Sequence, residues 1–476
     1  MDHSLKINLF WDYFNRFGNM LVSLITSSIL ARLLTPADYG LVGISMAVNG
    51  LAAIFLNFGF VSAIIQAKEL SNKRLSTVFY LNVFVSILIY VIIFVGSPWI
   101  SEFYQIQELE LILKISAISF IVSAVTIVPS ALMTREMKFK QLAVVSLVSS
   151  ILSGSLGVCL AFQHWGVWSI IYQQILGGLI VMIGYYVYTK WSPILYYKLQ
   201  SINDMLHFGV YMFFSGFLEG IYSRIDIFLI AKVFSPASLG LYTRAQGLDS
   251  MIRNLSSGSL LNVLFPTFAK IKDDPTQLKQ LYYQYFQLIC FVFCLLAGVF
   301  YLSAEKLFLL MFGSQWHLSA VYFKILVLAG FAYPLSSLSL SIIEARGNSK
   351  NFFKVELIKK VLFLPSYFIA YYLGIIPFLI AFVFAMYIAT FINVRFLKYE
   401  LEISVWQTIK YLSTYLFPVL GIVACITIAQ SLLHIQSNYG VVLLEVFLFL
   451  GVYFSINKLV NSNGLQYTLA LVKKQV

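Results

Sequence analysis

Fourteen long apolar segments divide the chain of 476 residues and limit its fold more than any other feature. A helix needs about 20 mostly apolar residues to cross the hydrocarbon core of a bilayer, and each segment reaches that length. The segments span residues 11–33, 40–66, 76–100, 112–133, 141–162, 166–188, 206–232, 239–268, 281–302, 318–343, 352–373, 375–397, 409–431 and 438–459. They predict an all-α polytopic membrane protein with fourteen transmembrane helices.

The composition excludes three classes of protein. Hydrophobic residues make up 60% of the chain and charged residues 11%, whereas soluble globular proteins have roughly 45–50% and about 25%. So few charges cannot cover a water-facing surface, which excludes a soluble enzyme, a nucleic-acid-binding protein and a disordered protein. The four cysteines lie inside apolar segments and the five histidines are scattered. We therefore expect no metal site, no cofactor and no catalytic residues.

Basic residues mark alternate loops along the chain. The first six residues, MDHSLK, lack the basic region and the small-residue cleavage site of a secretory signal, so we expect the first segment to be retained in the membrane. With the N-terminus in the cytoplasm, 24 of the 32 lysines and arginines lie on the cytoplasmic side, whereas the opposite loops carry acidic residues. This bias is typical of the positive-inside rule. It predicts both termini in the cytoplasm and accounts for the net charge of +12.

An internal repeat connects two parts of the chain. Residues 31–41 read ARLLTPADYGL and residues 231–241 read AKVFSPASLGL, which are identical at five of eleven positions. A hydroxyl residue followed by proline is a good helix start in both copies. The offset predicts two parallel six-helix lobes, residues 1–200 and 201–400, with two further helices in residues 401–476. Paired lobes of this kind are a transporter architecture that works by alternating access.

Ionisable residues at bilayer depth concentrate in the seventh and eighth segments, and such groups are usually functional or paired. In an antiparallel hairpin, residues at equal depth have a nearly constant sum of residue numbers. Three pairs of opposite charge meet this condition, namely Glu219–Arg253, Arg224–Asp249 and Asp226–Arg244. One interpretation is therefore that all six residues form ion pairs and bind no ligand.

Helical phase favours a different distribution of roles. At about 100° per residue, Asp249 and Arg253 share one face of the eighth segment and Arg244 points away from Arg253. Glu219 and Asp226 share a face of the seventh, and Arg224 lies about 140° from Glu219. The Glu219–Arg253 pair can therefore form between the two segments, whereas Arg224 and Arg244 are predicted to face a cavity.

Arginines in a membrane cavity suit an anionic ligand, because the guanidinium donates a rigid fork of hydrogen bonds that matches phosphate. Arg16 and Arg32 lie near the ends of the first segment, where they can also extend to the interface. Glu445 has no charged partner nearby in sequence and is given no role. The candidate substrate-binding residues are Arg224, Arg244, Arg253, Arg16 and Arg32, and the candidate ion-coupling or structural residues are Glu219, Asp226 and Asp249.

The chain also resembles a known family. The stretches ILARLLTPADYGLVG, NFGFVSAIIQAKELS, ALMTREMKF, VLFPTFAKIKDD, LMFGSQW and IIEARGNSK follow one another in this order. They resemble bacterial polysaccharide transporters of the multidrug/oligosaccharidyl-lipid/polysaccharide superfamily, in particular Wzx-like flippases of the colanic-acid-exporter type. The resemblance runs from the first to the twelfth segment.

The resemblance implies fourteen helices, two lobes and a central cationic cavity in the bacterial inner membrane. It further implies translocation of an undecaprenyl-pyrophosphate-linked oligosaccharide repeat unit toward the periplasm. The charged set in the seventh and eighth segments is not a motif of that family, so its roles are inferred from this chain alone. Coupling to H⁺ or Na⁺ and a monomeric state are further expectations.

Two alternatives remain open. An ion-coupled drug antiporter of the same superfamily would favour an acidic or apolar cavity and usually twelve helices, which the arginines and the last two segments oppose. A membrane polysaccharide polymerase or ligase would need a large extramembrane loop or a metal site. The longest gap between segments is only residues 189–205.

Overall fold

Helices account for nearly all of the regular structure. The computed structural model describes residues 3–475 except 57–59, 68–69, 203–216, 218, 254–258, 331 and 434–437, and the described residues contain no strand. The helices are α1 (His3–Leu33), α2 (Pro36–Ala52), α3 (Phe60–Gln66), α4 (Asn72–Tyr104), α5 (Glu108–Ser116), α6 (Ile118–Arg135), α7 (Phe139–Phe162), α8 (Trp168–Thr189), α9 (Ile225–Val233), α10 (Pro236–Arg253), α11 (Ser259–Lys270), α12 (Pro275–Phe312), α13 (His317–Ala329), α14 (Ala332–Ala345), α15 (Ser349–Leu373), α16 (Ile375–Leu401), α17 (Val405–Leu432), α18 (Tyr439–Leu459) and α19 (Asn463–Gln475).

Ten stretches of the described chain are long and apolar enough to cross a membrane. The other four predicted segments, 11–33, 206–232, 239–268 and 352–373, each overlap at least one helix. Parts of 206–232 and 239–268 lie outside the described residues. The prediction of an all-α polytopic membrane protein is therefore confirmed.

The two shortest predicted connections both separate helices. α7 ends at Phe162 and α8 begins at Trp168, and the turn between them passes through His164 and Gly166, which have φ angles of 62° and 54°. α15 and α16 are separated by Gly374 alone, which has a φ of 96°. This conformation favours glycine because a Cβ would clash with the backbone, so a single residue is enough to end one helix and begin the next.

The structure forms two compact units, residues 1–243 and 244–476. In the first unit α7 packs against α1 and α8, and α6 packs against α4 and α8. In the second unit the long helix α12 packs against α13, α17, α18 and α19. The division into residues 1–200, 201–400 and 401–476 stays a prediction.

The two copies of the repeat begin helices in the same way. The Thr35 hydroxyl accepts from the Asp38 backbone N–H, and the Asp38 carboxylate accepts from the Thr35 backbone N–H, which together form a capping box at the start of α2. At the start of α10 the Ser235 hydroxyl accepts from the Ser238 N–H at 3.2 Å. Both copies therefore have the helix start expected from the sequence, in which a capping hydroxyl residue precedes a proline.

The two copies also contact each other through their backbones within the first unit. A Cβ placed on Gly40 would overlap the Pro236 carbonyl oxygen, and a Cβ placed on Gly240 would overlap the Pro36 carbonyl oxygen. The contact is reciprocal, as expected for segments related by an approximate twofold axis. Three positions further along, a Cβ on Gly43 would lie 3.1 Å from Thr243 Cγ2. Small residues thus permit α2 and α10 to cross at backbone distance.

We predict that Gly40→Ala and Gly240→Ala each lower the melting temperature of the purified protein by several degrees. The added methyl group forces the two helix starts apart, and overpacking of this kind costs roughly 1–3 kcal/mol. Gly247→Ala is the matched control on α10, because nothing lies within 4 Å of a Cβ there and alanine favours helix over glycine. Equal melting temperatures for all three variants would contradict the backbone contact.

Candidate functional site

A break in the helix before α9 positions Arg224. Arg224 has φ −128° and ψ 1°, which are not helical, and α9 begins at the next residue. Its Nη1 donates to the Gly220 carbonyl at 3.0 Å and to the Ser223 hydroxyl at 3.2 Å. The side chain is half-buried. The break therefore holds a cation at the start of a helix inside the first unit.

Gly50 of α2 provides the space for this guanidinium. A Cβ on Gly50 would lie 2.5 Å from both Nε and Nη2 of Arg224. Any larger residue would displace the arginine. No sequence pattern connects Gly50 with Arg224, because the two residues are distant along the chain and glycine is common in membrane helices.

Asn49, which precedes Gly50 on α2, belongs to a polar cluster with Ser45 and Ser116. Asn49 Nδ2 donates to the Ser116 hydroxyl at 2.9 Å, and the Ser45 hydroxyl donates to the same oxygen at 2.9 Å. The Asn49 Oδ1 atom is buried, and no donor among the described residues reaches it. A buried acceptor without a donor is costly. The second half of α2 therefore carries a buried acceptor at Asn49 and lies against a cation, Arg224, at Gly50.

Asp226 has partners inside the first unit. Its carboxylate accepts a hydrogen bond from the Tyr242 hydroxyl and one from the Ile227 N–H at 2.9 Å. Both side chains are buried, so the contact connects α9 with α10. Sequence reasoning missed Tyr242 because the depth comparison was limited to charged residues. The sum of the two residue numbers is close to that of the predicted charge pairs.

Arg244 lies against aromatic rings of the second unit. Its guanidinium carbon is 3.8 Å from the centre of the Phe312 ring and 5.8 Å from that of Trp316. Both rings are almost fully buried. The two aromatic residues belong to the LMFGSQW stretch, so that stretch holds an arginine by cation–π interactions. These interactions were not expected from the sequence.

Asp249 and Arg253 form an ion pair one turn apart on α10. Arg253 Nε lies 2.9 Å from Asp249 Oδ2, and the Arg253 guanidinium is 5.2 Å from the centre of the Tyr333 ring. The shared face predicted for these two residues is therefore confirmed. Glu219 is exposed and belongs to the other unit, so the Glu219–Arg253 pair stays a prediction.

The remaining candidates lie on exposed surfaces of α1. Arg16 pairs with Asp12 at 2.9 Å, and 69% of its side chain is exposed. Arg32 is exposed in the last turn of α1. In α18, the buried carboxylate of Glu445 accepts a hydrogen bond from the side-chain amide of Gln430. The structure thus places Arg224 against Gly50 of α2 and gives Arg244, Arg253 and Arg16 contacts within their own units.

Comparisons with known proteins agree with this architecture. The chain is 24% identical over 342 residues to the teichuronic acid biosynthesis protein TuaB of Bacillus subtilis (strain 168), which covers 71% of each chain. It is 24% identical over 349 residues to the lipopolysaccharide biosynthesis protein WzxC of Escherichia coli (strain K12), which covers 72% of this chain and 70% of that one.

A solved structure shares the fold. The lipid II flippase MurJ in an inward closed conformation superposes with a TM-score of 0.73 at 15% sequence identity, covering 95% of this chain and 98% of that chain. The model of a family described as "Polysaccharide biosynthesis protein" matches residues 29–321. That match spans more than half of the chain, and we conclude that this protein belongs to that polysaccharide biosynthesis family.

Proposed function

We propose that this protein is a flippase that moves a polyprenyl-pyrophosphate-linked oligosaccharide repeat unit across the bacterial inner membrane for surface polysaccharide biosynthesis. The observation that carries the proposal is Arg224, a half-buried arginine held over Gly50 inside a unit made of membrane-spanning helices. Family membership and the fold shared with a lipid II flippase support it. An ionised side chain at bilayer depth is expensive and is usually retained for a function.

Arg224 and Asn49 suit the two chemical parts of such a substrate. A guanidinium keeps its charge at any physiological pH and matches phosphate oxygens with a planar fork of donors. The Asn49 Oδ1 acceptor has no donor among the described residues, and a sugar hydroxyl is a donor that can satisfy it. We assign the pyrophosphate to Arg224 and a hydroxyl of the adjoining sugar to Asn49.

The other arginines have supporting roles in this proposal. Arg244 and Arg253 position α10, because aromatic rings and Asp249 already hold their guanidinium groups. Arg16 and Arg32 are exposed on α1, and Arg32 lies in its last turn. Exposed cations of this kind attract anionic head groups at the membrane surface.

Transport proceeds by alternating access with both termini in the cytoplasm and with undecaprenyl as the lipid. The contact between Gly40 and Gly240 then lies at the periplasmic end of α2 and α10, so the substrate can leave only after these helix starts separate. Asp226, Asp249 and Glu219 are the carboxylates available for coupling to H⁺ or Na⁺. Asp249 is the foremost of these, because it borders a small cavity with Phe293 and Phe300. We propose that one copy of the chain is sufficient.

A drug antiporter is the less favoured function. Cationic drugs would have to approach a site that carries an arginine, Arg224, and like charges repel strongly where the dielectric constant is low. A polymerase or ligase is also disfavoured, because this chain shares its fold with a lipid II flippase.

We expect deletion of the gene to stop export of the surface polysaccharide and to accumulate the lipid-linked repeat unit in the inner leaflet. The measurement is mass spectrometry of extracted polyprenyl-linked sugars, combined with a leaflet assay that uses a membrane-impermeant lectin or oxidant. A normal amount of surface polysaccharide in the deletion strain would refute the flippase proposal. Increased drug sensitivity with normal polysaccharide would favour the antiporter.

We expect Arg224→Ala to lower export in the complemented deletion strain by at least about tenfold, because one charge-assisted contact to phosphate is worth about 1.5–3 kcal/mol. Gly50→Val should have the same effect by displacing the guanidinium, and Arg224→Lys should retain part of the activity. Lys114→Ala is the matched control, since Lys114 has its own carboxylate partner in Glu110. Equal export by Arg224→Ala and Lys114→Ala would remove Arg224 from the substrate site.

We expect Arg244→Leu to lower the melting temperature of the purified protein, because a partly desolvated cation–π contact is worth about 0.5–2 kcal/mol. Arg244→Lys should recover much of that stability, since an ammonium also interacts with the Phe312 ring. Loss of export by Arg244→Leu with an unchanged melting temperature would instead place Arg244 in direct contact with substrate.

A further inference from the structure

The residues that directly follow α8 are docked along the start of α4. The Ile194 N–H donates to the Ser76 hydroxyl at 3.0 Å, and the Lys198 N–H donates to the Thr77 hydroxyl at 3.4 Å. Both hydroxyl residues are fully buried. Residues 190–199, which we call the strap, are therefore held at two backbone positions.

An aromatic contact holds the start of the strap, and an apolar contact holds the chain just beyond its end. Trp191 Nε1 donates to the Asn72 side chain at 2.6 Å, and its ring centre is 5.7 Å from that of Phe79. Beyond the strap, Ile202 is fully buried in a cluster with Leu75 and other apolar residues of α3, α4 and α6. The conformation of the strap is thus set by the first unit.

The docked strap directs apolar side chains outward. Leu195 is 97% exposed, the largest exposed fraction among the large hydrophobic residues that the structure describes, and Tyr197 is 54% exposed. Ile194 and Leu199 are also exposed. Leaving such side chains in water forgoes about 25 cal/mol per Å² of apolar surface. Their exposure on an ordered segment therefore indicates an apolar partner.

The strap lies where two membrane-spanning helices end. α4 begins at Asn72 and α8 ends at Thr189, and both are long and apolar enough to cross a bilayer. The strap therefore runs along one membrane boundary, where the apolar side chains on its outer side can reach the acyl chains.

Basic residues surround these apolar side chains. Lys73, Lys190 and Lys198 are exposed, and Lys73 lies over the Tyr196 ring at 5.4 Å. Residues 70–78 and 190–202 contain no acidic residue. The nearest acids in sequence, Glu69 and Asp204, lie outside the described residues. Exposed apolar side chains bordered by lysines are the pattern of a segment that lies in an anionic membrane surface.

We propose that the strap is an interfacial anchor that inserts Leu195 and its apolar neighbours into the leaflet where α4 begins, with the lysines bound to anionic phospholipid head groups. This anchor ties the connection between the two copies of the repeat to the membrane surface.

The test is the environment of residue 195 in vesicles. Leu195→Cys is made after Cys159 and Cys425, the two exposed cysteines, are replaced by alanine, while the buried Cys290 and Cys294 stay. The cysteine is labelled with bimane and the protein is reconstituted in vesicles of phosphatidylethanolamine and phosphatidylglycerol. We expect brominated acyl chains to quench bimane at residue 195 at least about twofold more strongly than bimane in Asp273→Cys. Iodide should quench bimane at residue 195 at least about twofold more weakly than bimane in Asp273→Cys.

Asp273 is the aqueous reference, because it is exposed in the turn between α11 and α12. Leu444→Cys, on an exposed apolar face of α18, is the reference for lipid contact. Quenching at residue 195 that matches Asp273→Cys would overturn the proposal. Shielding from both quenchers would also overturn it, because a protein partner or a second copy would then cover the strap.

The head-group assignment has its own test. Replacing phosphatidylglycerol by phosphatidylcholine, or changing Lys190 and Lys198 together to glutamate, should weaken quenching by brominated chains by at least about twofold. Unchanged quenching under both conditions would overturn the role of anionic lipid. Melting temperatures equal to that of the parent protein show that each variant is folded.

Discussion

The hydrocarbon core of a bilayer offers no hydrogen-bond partner to a peptide group, and the rest of this structure depends on that constraint. A spanning segment must satisfy its own backbone, which a helix does along its whole length. The described residues accordingly form mostly helices, and a single glycine with positive φ is enough to separate α15 from α16. Irregular backbone occurs before α9, where the Arg224 side chain donates to a carbonyl of the preceding turn.

The same constraint explains why each charged side chain inside the structure has an interaction partner. An ionised side chain removed from water needs a partner, and each described example has a different one. Asp249 forms an ion pair with Arg253, Arg244 makes cation–π contacts with two aromatic rings, and Asp226 accepts a hydrogen bond from a tyrosine hydroxyl. Arg224 donates only to neutral oxygens in the contacts above. Its charge is therefore the best placed of these to attract an anion, which connects the energetics of burial to the proposed transport.

Close packing of small residues connects the internal repeat with the proposed alternating access. Gly40 and Gly240 allow two helix starts to touch through their backbones. Such a contact holds little side-chain surface that would have to be repacked on opening. A transporter that alternates between two states needs an interface of this kind, whereas a contact built from large interlocking side chains would hold one state. The strap adds a second point at which the connection between the repeats is held.

Much of the architecture follows from the sequence alone, because hydrophobic length and helical period are local properties. The fourteen segments, the capped starts at Thr35 and Ser235, and the i,i+4 pairing of Asp249 with Arg253 all depend on residues close together in the chain. The family resemblance added the expected class of function.

Only the tertiary structure decided which distant residues meet. Gly50 lies against Arg224, Phe312 and Trp316 lie against Arg244, and the Ser76 hydroxyl accepts from the backbone of Ile194. Each contact depends on the rotation and tilt of one helix relative to another. Those angles are set by summed packing of many side chains rather than by any local pattern. The sequence alone therefore determined the helices and their charges, and packing determined which side chains surround each charge.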